Sequence, residues 1–375
     1  GPGKALRACA FFMAQDQAWC LHIERTSMSL TGKHILSCDL FDRDMLEELF
    51  LLADLLQPVA RGHRVCRVLE GAVLGSLFFE ASTRTRLSFD SAFLRLGGAV
   101  SDTTGVTVTS ITKGESLADT SRVVSGYFDV LVVRHPDEQA VHEIASATHV
   151  PVLNGGNGGG EHPTQALLDL YTLRSEFARM GKSLKGSRIA LIGDLRHGRT
   201  AHSLLRLLSL YEGLTIVCVS PPSLPMPREL LDRAARRGHR IEETDNAPVG
   251  LKDADVVYAT RIQKERFTST ETAFDYSADF RVDGALVNGV CKPEVVIMHP
   301  LPRDSTAGAN DLSNDLDQDV RLAIFRQTDA GIPTRMALFA SVLGVAHQVG
   351  SSLRDADWYR PKYIGPNDAP FYSLQ

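Results

Sequence analysis

Six short clusters carry most of the side chains that could do chemistry: Ser82-Thr83-Arg84-Thr85-Arg86, Arg134-His135, His162-Pro163-Thr164-Gln165, Gly193–Thr200, Thr260–Arg266 and His299–Arg303. They are rich in Arg, His, Thr and Gln and poor in carboxylates, which is the composition of an anion site. The first cluster is the most explicit. Ser76–Phe79 is a short apolar run fit for a buried strand, Ser82 is placed as a helix N-cap, and Leu87, Phe89, Phe93, Leu94 and Leu96 make one broad apolar side before Gly97 stops the helix. Unpaired backbone N–H groups and the positive end of the helix dipole therefore meet three hydroxyls and two guanidinium groups. Such a helix start suits a doubly charged oxyanion, above all a phosphate. In isolation it reads more readily as a cap followed by two solvated arginines; five further clusters of the same kind shift the reading to the anion site. No cysteine or exposed Ser–His–Asp set offers itself as a nucleophile.

The elements that must position these clusters alternate. Leu40–Leu56 is amphipathic from about Asp42, Ala99–Ser101 is a candidate strand, and Val106–Ser121 reads as a polar loop feeding a helix. Asp129–Val133 and Val150–Leu153 are apolar strands, the second ending in the Gly-rich run Asn154–Gly160, which is either a linker or a place for close backbone approach to a ligand. His162-Pro163 opens a helix that runs toward Met180, with Pro163 in its first turn. A second alternation follows through Arg188–Ile192, Thr215–Val219, Val256–Tyr258 and Val295–Met298, and Arg335–Leu343 makes a late helix able to cross back onto the first block. Strands separated by helices predict an α/β chain of two doubly wound domains, each a parallel sheet flanked by helices. In such sheets ligands gather beyond the carboxyl ends of the strands, where all six clusters fall. The expected organisation is a tail over 1–27, a first domain over 28–163 plus about 322–348, a connecting helix over 164–182, a second domain over 183–321 and a C-terminal extension over 349–375.

Composition narrows the function classes. With 375 residues the chain is long enough for two domains, and its net charge of −5 argues against a nucleic-acid or membrane surface. No apolar run reaches the ~20 residues of a transmembrane helix. The six cysteines (Cys9, Cys20, Cys38, Cys66, Cys218, Cys291) lack CxxC or Cys/His pairing, which favours free thiols in a reducing, cytoplasmic setting and no metal. Gly1-Pro2-Gly3 reads as a cloning remnant, and the poorly patterned residues up to 27 as a mobile tail. Gly193–Thr200 nearly matches the phosphate loop G-x-x-x-x-G-K-[ST], but Arg199 replaces the lysine, Asp194 and Arg196 would crowd a nucleotide, and no Walker-B acid follows a strand.

FFEASTRTRLSF, VVRHP, HPTQALLDLYT, GDLRHGRTAHS, TRIQKER and HPLPR, in that order and spacing, resemble the aspartate carbamoyltransferases of the aspartate/ornithine carbamoyltransferase superfamily, over about Leu30 to Gly344. His299-Pro300-Leu301-Pro302 stands where the ornithine-using relatives usually carry His-Cys-Leu-Pro, and TRIQKER also belongs to the aspartate branch. The resemblance implies a domain for carbamoyl phosphate and one for L-aspartate. It further implies a homotrimer with active sites shared between neighbours, no cofactor, and a step of pyrimidine biosynthesis that gives N-carbamoyl-L-aspartate and phosphate. It leaves open a separate regulatory chain, another amine substrate, and a catalytically silent carbamoyl phosphate-binding paralogue.

Carried over by position, the resemblance implies that Ser82, Thr83, Arg84 and Thr85 cradle the phosphate and that Arg134 bridges phosphate and carbonyl oxygen. Thr85, Arg134 and His162 would polarise the carbamoyl C=O. Gln165 and the backbone carbonyls of Leu301 and Pro302 would hold its NH2. Lys113, with Thr109 or Ser110, would arrive from the adjacent subunit, and Arg199 and Arg261, assisted by Gln263, would grip the two carboxylates of aspartate. Blander roles stand beside these. His162 could cap the helix begun by Pro163, Arg199 and Arg261 could form surface ion pairs, and Lys113 could be solvated. Arg266 and Arg303 read as structural, and His135, His197 and His202 match no assigned role. Glu161, directly before His162, would raise the imidazole pKa if its carboxylate approached the ring. Thr268–Pro293 fits the pattern weakly, and the aromatic-rich residues 349–375 could pack on a neighbour.

Overall fold

The computed structural model describes residues 29–102, 114–263, 279–304 and 311–359. Thr109, Ser110, Lys113, Arg266 and the expected N-terminal tail lie outside the described residues. The chain packs as two compact units: residues 29–36, 41–155 and 332–359 form unit 1, and residues 37–40 and 156–331 form unit 2.

In unit 1, helix α1 (Arg43–Ala60) starts at Asp42, whose carboxylate accepts from the Met45 N–H at 2.8 Å. Leu46, Leu49, Phe50, Ala53 and Leu56 bury its inner face. Strand β1 (Val73–Phe78) leads to α2 (Thr83–Arg95), β2 (Ala99–Asp102), α3 (Leu117–Ser125), β3 (Val130–His135), α4 (Ala140–Ala147) and β4 (Val152–Asn157). The sheet order is β2-β1-β3-β4, with β1 parallel to both neighbours. The chain thus leaves β1 toward one edge and returns on its other side, so the topological switch point lies between β1 and β3, where the Ser82 and Arg134 clusters emerge. Phe89, Phe93 and Leu96 are buried as expected, but Leu87 and Leu94 are each 55 % exposed. At about 100° per residue, 87 and 94 fall opposite the 89/93/96 stripe, so the apolar side is narrower than the count of apolar residues suggested. Gly97 ends the helix with φ +89°, and a Cβ there would meet the Arg67 Cα at 2.9 Å.

Unit 2 continues with α5 (Pro163–Arg179), β5 (Arg188–Ile192), α6 (Arg199–Leu208), β6 (Thr215–Val219), α7 (Arg228–Arg236), β7 (Arg240–Thr244), β8 (Val256–Ala259), α8 (Gly284–Val290), β9 (Val296–Met298) and α9 (Ile324–Asp329). Its sheet order is β9-β8-β5-β6-β7, parallel throughout. The switch point here lies between β5 and β8, and the Gly193–Thr200 and Thr260 clusters leave those two strands. Helix α10 (Gly331–Val342) then returns to unit 1, where Phe339 meets the rings of Phe89 and Phe93 edge-on and Arg335 donates to the Ser88 hydroxyl at 2.8 Å.

The units divide at 155/156 and 331/332, whereas the sequence reading put the first break at 163 and the return near 322. The reason is packing. Helix α5, expected to connect the domains, packs against α6. Its buried Glu176 pairs with Arg326 of α9 at 2.7 Å, so both helices are held in unit 2. Among the described residues no helix is long and apolar enough to cross a membrane.

Candidate active site

In unit 1, β1 hands over to α2 through Ser82, whose extended backbone (φ −158°, ψ 98°) starts the helix without a capping hydrogen bond from its hydroxyl. The first-turn N–H groups of a 13-residue helix are thereby left to an outside acceptor. Thr83 and Arg84 are exposed, Ser82 and Thr85 half-buried. Among the described residues no carboxylate pairs with Arg84, whereas Arg86 is taken by Asp102 at 2.5 Å. Phe78 is in register with Arg134 on the adjacent strand, which places that guanidinium beside the helix start. Arg134 is mostly buried and oriented twice: Nε donates to Glu80 Oε2 at 3.0 Å and Nη1 to the Gly155 carbonyl at 3.2 Å. A planar donor fork fixed in this way can meet an oxyanion without first ordering a long side chain.

His162, Gln165, Leu301 and Pro302 of the expected carbamoyl phosphate set belong to unit 2. His162 sits at the N-cap of α5 and is buried, yet its side chain makes no capping bond. The missing cap bond disfavours the cap reading of the ring, and the His162 backbone N–H donates to Ser203 Oγ of α6 at 3.1 Å. Gln165, one turn on, is half-buried and donates Nε2 to Asp169. Glu161 accepts from the Ser37 hydroxyl at 2.7 Å and the Cys38 N–H at 2.8 Å, and its carboxylate stands 4.0 Å from Arg206 Nε. At the end of β9, His299 is buried between two fixed bonds. Nδ1 accepts from the Leu301 N–H at 2.8 Å, which leaves the proton on Nε2 to donate to Asp311 at 2.9 Å. This pins a turn in which Leu301 has φ +59° and the Leu301–Pro302 bond is cis. Arg303 pairs with Asp317 at 2.7 Å, a structural role.

The switch point of unit 2 brings the remaining residues together. Arg199 opens α6 and donates to the carbonyl of Gly158. Arg261 and Gln263 follow β8, and Gln263 Nε2 donates to the His197 carbonyl at 3.0 Å. The two loops are tied by Asp194, fully buried, whose carboxylate accepts from the His197 N–H at 3.0 Å and the Gln263 N–H at 3.2 Å. Gly193 makes the approach possible: at φ +127° a Cβ would stand 2.2 Å from the Thr260 carbonyl oxygen. Asp194, which would crowd a nucleotide, fastens instead the loops that carry Arg199 and Arg261. His202 Nε2 donates to the Leu195 carbonyl at 2.6 Å, and burial pushes its pKa down. His135 packs on Phe79, so neither ring replaces an assigned one. Among the described residues no group of three His, Cys, Asp or Glu could hold a metal ion.

The family model "Aspartate/ornithine carbamoyltransferase, carbamoyl-P binding domain" matches residues 33–175, and "Aspartate/ornithine carbamoyltransferase, Asp/Orn binding domain" matches residues 185–342. The chain belongs to the aspartate/ornithine carbamoyltransferase family. It is 53 % identical over 348 residues to the aspartate carbamoyltransferase catalytic subunit of Dichelobacter nodosus, covering 93 % of this chain and all of that one. It is also 53 % identical over 335 residues to the catalytic subunit of Saccharophagus degradans, covering 89 % and 99 %. Among solved structures, the aspartate transcarbamoylase of Trypanosoma cruzi in complex with carbamoyl phosphate and aspartate superposes with a TM-score of 0.77 at 42 % identity, covering 84 % of this chain and 98 % of that one. The first family match ends at residue 175, inside α5, while packing in this chain assigns all of α5 to unit 2.

Proposed function

We propose that this chain transfers the carbamoyl group of carbamoyl phosphate to the α-amino group of L-aspartate, a step of pyrimidine biosynthesis. The carrying observation is topological: each sheet presents its expected arginine cluster at its own switch point, in the region matched by the corresponding family domain. The Trypanosoma cruzi enzyme, solved with carbamoyl phosphate and aspartate, supplies the same pair of ligands for a chain of the same fold.

The residue types fit the chemistry. The amine attacks the carbonyl carbon, a tetrahedral oxyanion forms, and the C–O bond to phosphate breaks. The departing phosphate takes the amine proton, so no side-chain base is required. The N-terminus of α2 with Ser82, Thr83, Arg84 and Thr85 binds the phosphate, and Arg134 bridges to the carbonyl oxygen. Thr85, Arg134 and His162 stabilise the oxyanion, where losing one placed donor typically costs about 2.7–4 kcal/mol. Gln165 and the carbonyls of Leu301 and Pro302 hold the NH2 group, and Arg199, Arg261 and Gln263 hold the aspartate carboxylates. Holding the reactants in line contributes on the order of 7–11 kcal/mol more. Burial favours the protonated form of two thiols, pushing Cys218 up to about 12 and Cys291 up to about 11. The free described cysteines support a reducing, cytoplasmic setting.

The same reading includes a homotrimer in which Lys113, with Thr109 or Ser110, serves a neighbour's site; the exposed Leu87 and Leu94 on α2 support an interface on unit 1. Assay with carbamoyl phosphate and either aspartate or ornithine tests the activity. Product with aspartate is expected; product only with ornithine, or with neither amine, overturns it. Sedimentation velocity, together with mixing of Lys113→Ala and Arg84→Ala subunits, tests the shared sites: partial recovery of activity is expected.

A further inference from the structure

The carboxylate of Asp169 on α5 is fully buried and is the acceptor for side chains from three elements. Gln165 Nε2 donates to Oδ1 at 2.9 Å, Gln327 Nε2 of α9 donates to the same oxygen at 2.7 Å, and the Tyr258 hydroxyl of β8 donates to Oδ2 at 2.6 Å. Burial and the neighbouring Asp169 charge push the Tyr258 hydroxyl well above its ordinary pKa, so it remains an O–H donor. A carboxylate can only accept, so both glutamine amides must turn their NH2 ends toward it and their oxygens away. For Gln327 the result is seen directly: its Oε1 accepts from the His299 N–H at 3.0 Å, at the head of the turn that His299 also pins through Leu301. For Gln165, half-buried, the same constraint leaves Oε1 as the amide atom directed away from Asp169. One buried anion therefore sets the polarity of a side-chain acceptor and anchors the turn bearing two backbone acceptors.

We infer that Asp169 is a positioning residue that selects a carbamoyl over an acetyl donor, by fixing Gln165 as a hydrogen-bond acceptor and by tethering the Leu301–Pro302 turn through Gln327. The inference rests on the carbamoyl-transfer reading above. Carbamoyl phosphate and acetyl phosphate differ only in NH2 against CH3. An NH2 group donates to outward-facing oxygens, whereas a methyl group leaves those oxygens desolvated and unmet. With either donor the balance is the same: the N–C bond to aspartate forms, the C–O bond to phosphate breaks, and the amine proton leaves with the phosphate.

The test compares kcat/KM for the two donors at fixed aspartate in the full chain, with acetyl phosphate followed both as substrate and as competitive inhibitor. The inhibitor measurement keeps the comparison valid where acetyl turnover is too slow to see. In Asp169→Leu, which keeps the bulk and removes the acceptor, the preference for carbamoyl phosphate is expected to fall about tenfold. Asp169→Asn retains an acceptor oxygen for both amides and turns an N–H toward the Tyr258 oxygen, so the preference is expected to stay within about threefold of the unaltered chain. Gln327→Leu cuts only the tether to the turn. It is expected to lower the preference about threefold and decides the matter should Asp169→Leu fail to fold. Equal losses with both donors in these variants would make Asp169 a structural residue only and overturn the inference. An unaltered chain that transfers no carbamoyl group to aspartate would instead overturn the underlying reading.

Discussion

Gly193→Ala tests whether the crossing of the β5 and β8 loops governs the aspartate half of the reaction. The added methyl carbon would stand 2.2 Å from the Thr260 carbonyl oxygen and 2.6 Å from its hydroxyl, where real Cβ contacts stay above 3.0 Å. The two loops must then part by at least about 0.8 Å, and an alanine held at φ +127° adds strain of ~1–3 kcal/mol. Thr260 immediately precedes Arg261, and Asp194, which follows Gly193, fastens Gln263, so the parting displaces residues proposed to hold aspartate. A misplacement of about 1 Å costs on the order of 100-fold in rate when positioning carries much of the catalysis. Steady-state kinetics should therefore show kcat/KM for aspartate down by about that factor, with phosphate binding, which the proposal gives to the α2 cradle, changed by less than about threefold. A variant that stays folded, as judged by its thermal transition, and keeps kcat/KM for aspartate within threefold would refute the assigned role of this crossing.

Arg84→Ala is expected to weaken phosphate and carbamoyl phosphate binding by a charge-assisted contact, about 10- to 100-fold, while Arg261→Ala mainly raises the aspartate KM; identical kinetic profiles would show the division of labour to be wrong. Asp194→Asn replaces an acceptor facing the Gln263 N–H with a potential donor or removes the bond to His197, and should lower kcat/KM for aspartate roughly 10-fold in the same assay. Stability should fall on acidification. Burial depresses the folded-state pKa values of His34, His135 and His202 below 6.5, so the unfolded chain takes up protons first. The stabilisation is complete above about pH 6.5 and is lost as the pH falls from there through the folded values. The thermal midpoint should drop between pH 7.5 and pH 5.5, and drop less in His202→Gln; a flat profile would contradict the sign.

How much of this was legible in the sequence follows from the range of the forces involved. Apolar strands such as Arg188–Ile192 and Thr215–Val219, buried on both faces, announce themselves, and the polar clusters at their ends mark the ligand side. Strand β7 does not: RIEET is an edge strand with exposed and half-buried positions, so it lacks an apolar run. The 55 % exposure of Leu87 and Leu94 was hidden by counting apolar residues without their helical phase. The link between Gln165 and Asp169 was visible as a four-residue spacing on one helix face. Its continuation to Gln327 spans 158 positions and depends on the fold, as do the Gln263–Asp194 bond over 69 positions and the Glu161 contacts with residues 37–38.

The carboxylates share one logic that composition concealed. The clusters facing the expected anions are poor in acids, yet four of their residues have an acid behind them: Glu80 behind Arg134, Asp169 behind Gln165, Asp194 behind Gln263, and Asp311 behind His299. Placed there, a carboxylate has N–H or O–H donors of the protein on its own oxygens, which blunts its field toward a substrate and fixes the direction of the groups in front. Long-range electrostatics alone predicts that neutralising any of them, by making the site more positive, tightens the binding of anionic substrates. Preorganisation predicts the reverse, because an arginine or amide released from its partner loses its aim. Phosphate affinity of Glu80→Gln separates the two: preorganisation has the variant bind phosphate more weakly than the unaltered chain, at low and at high salt alike, whereas a gain at low salt that vanishes at high salt would mean that charge, and not direction, is what these acids control.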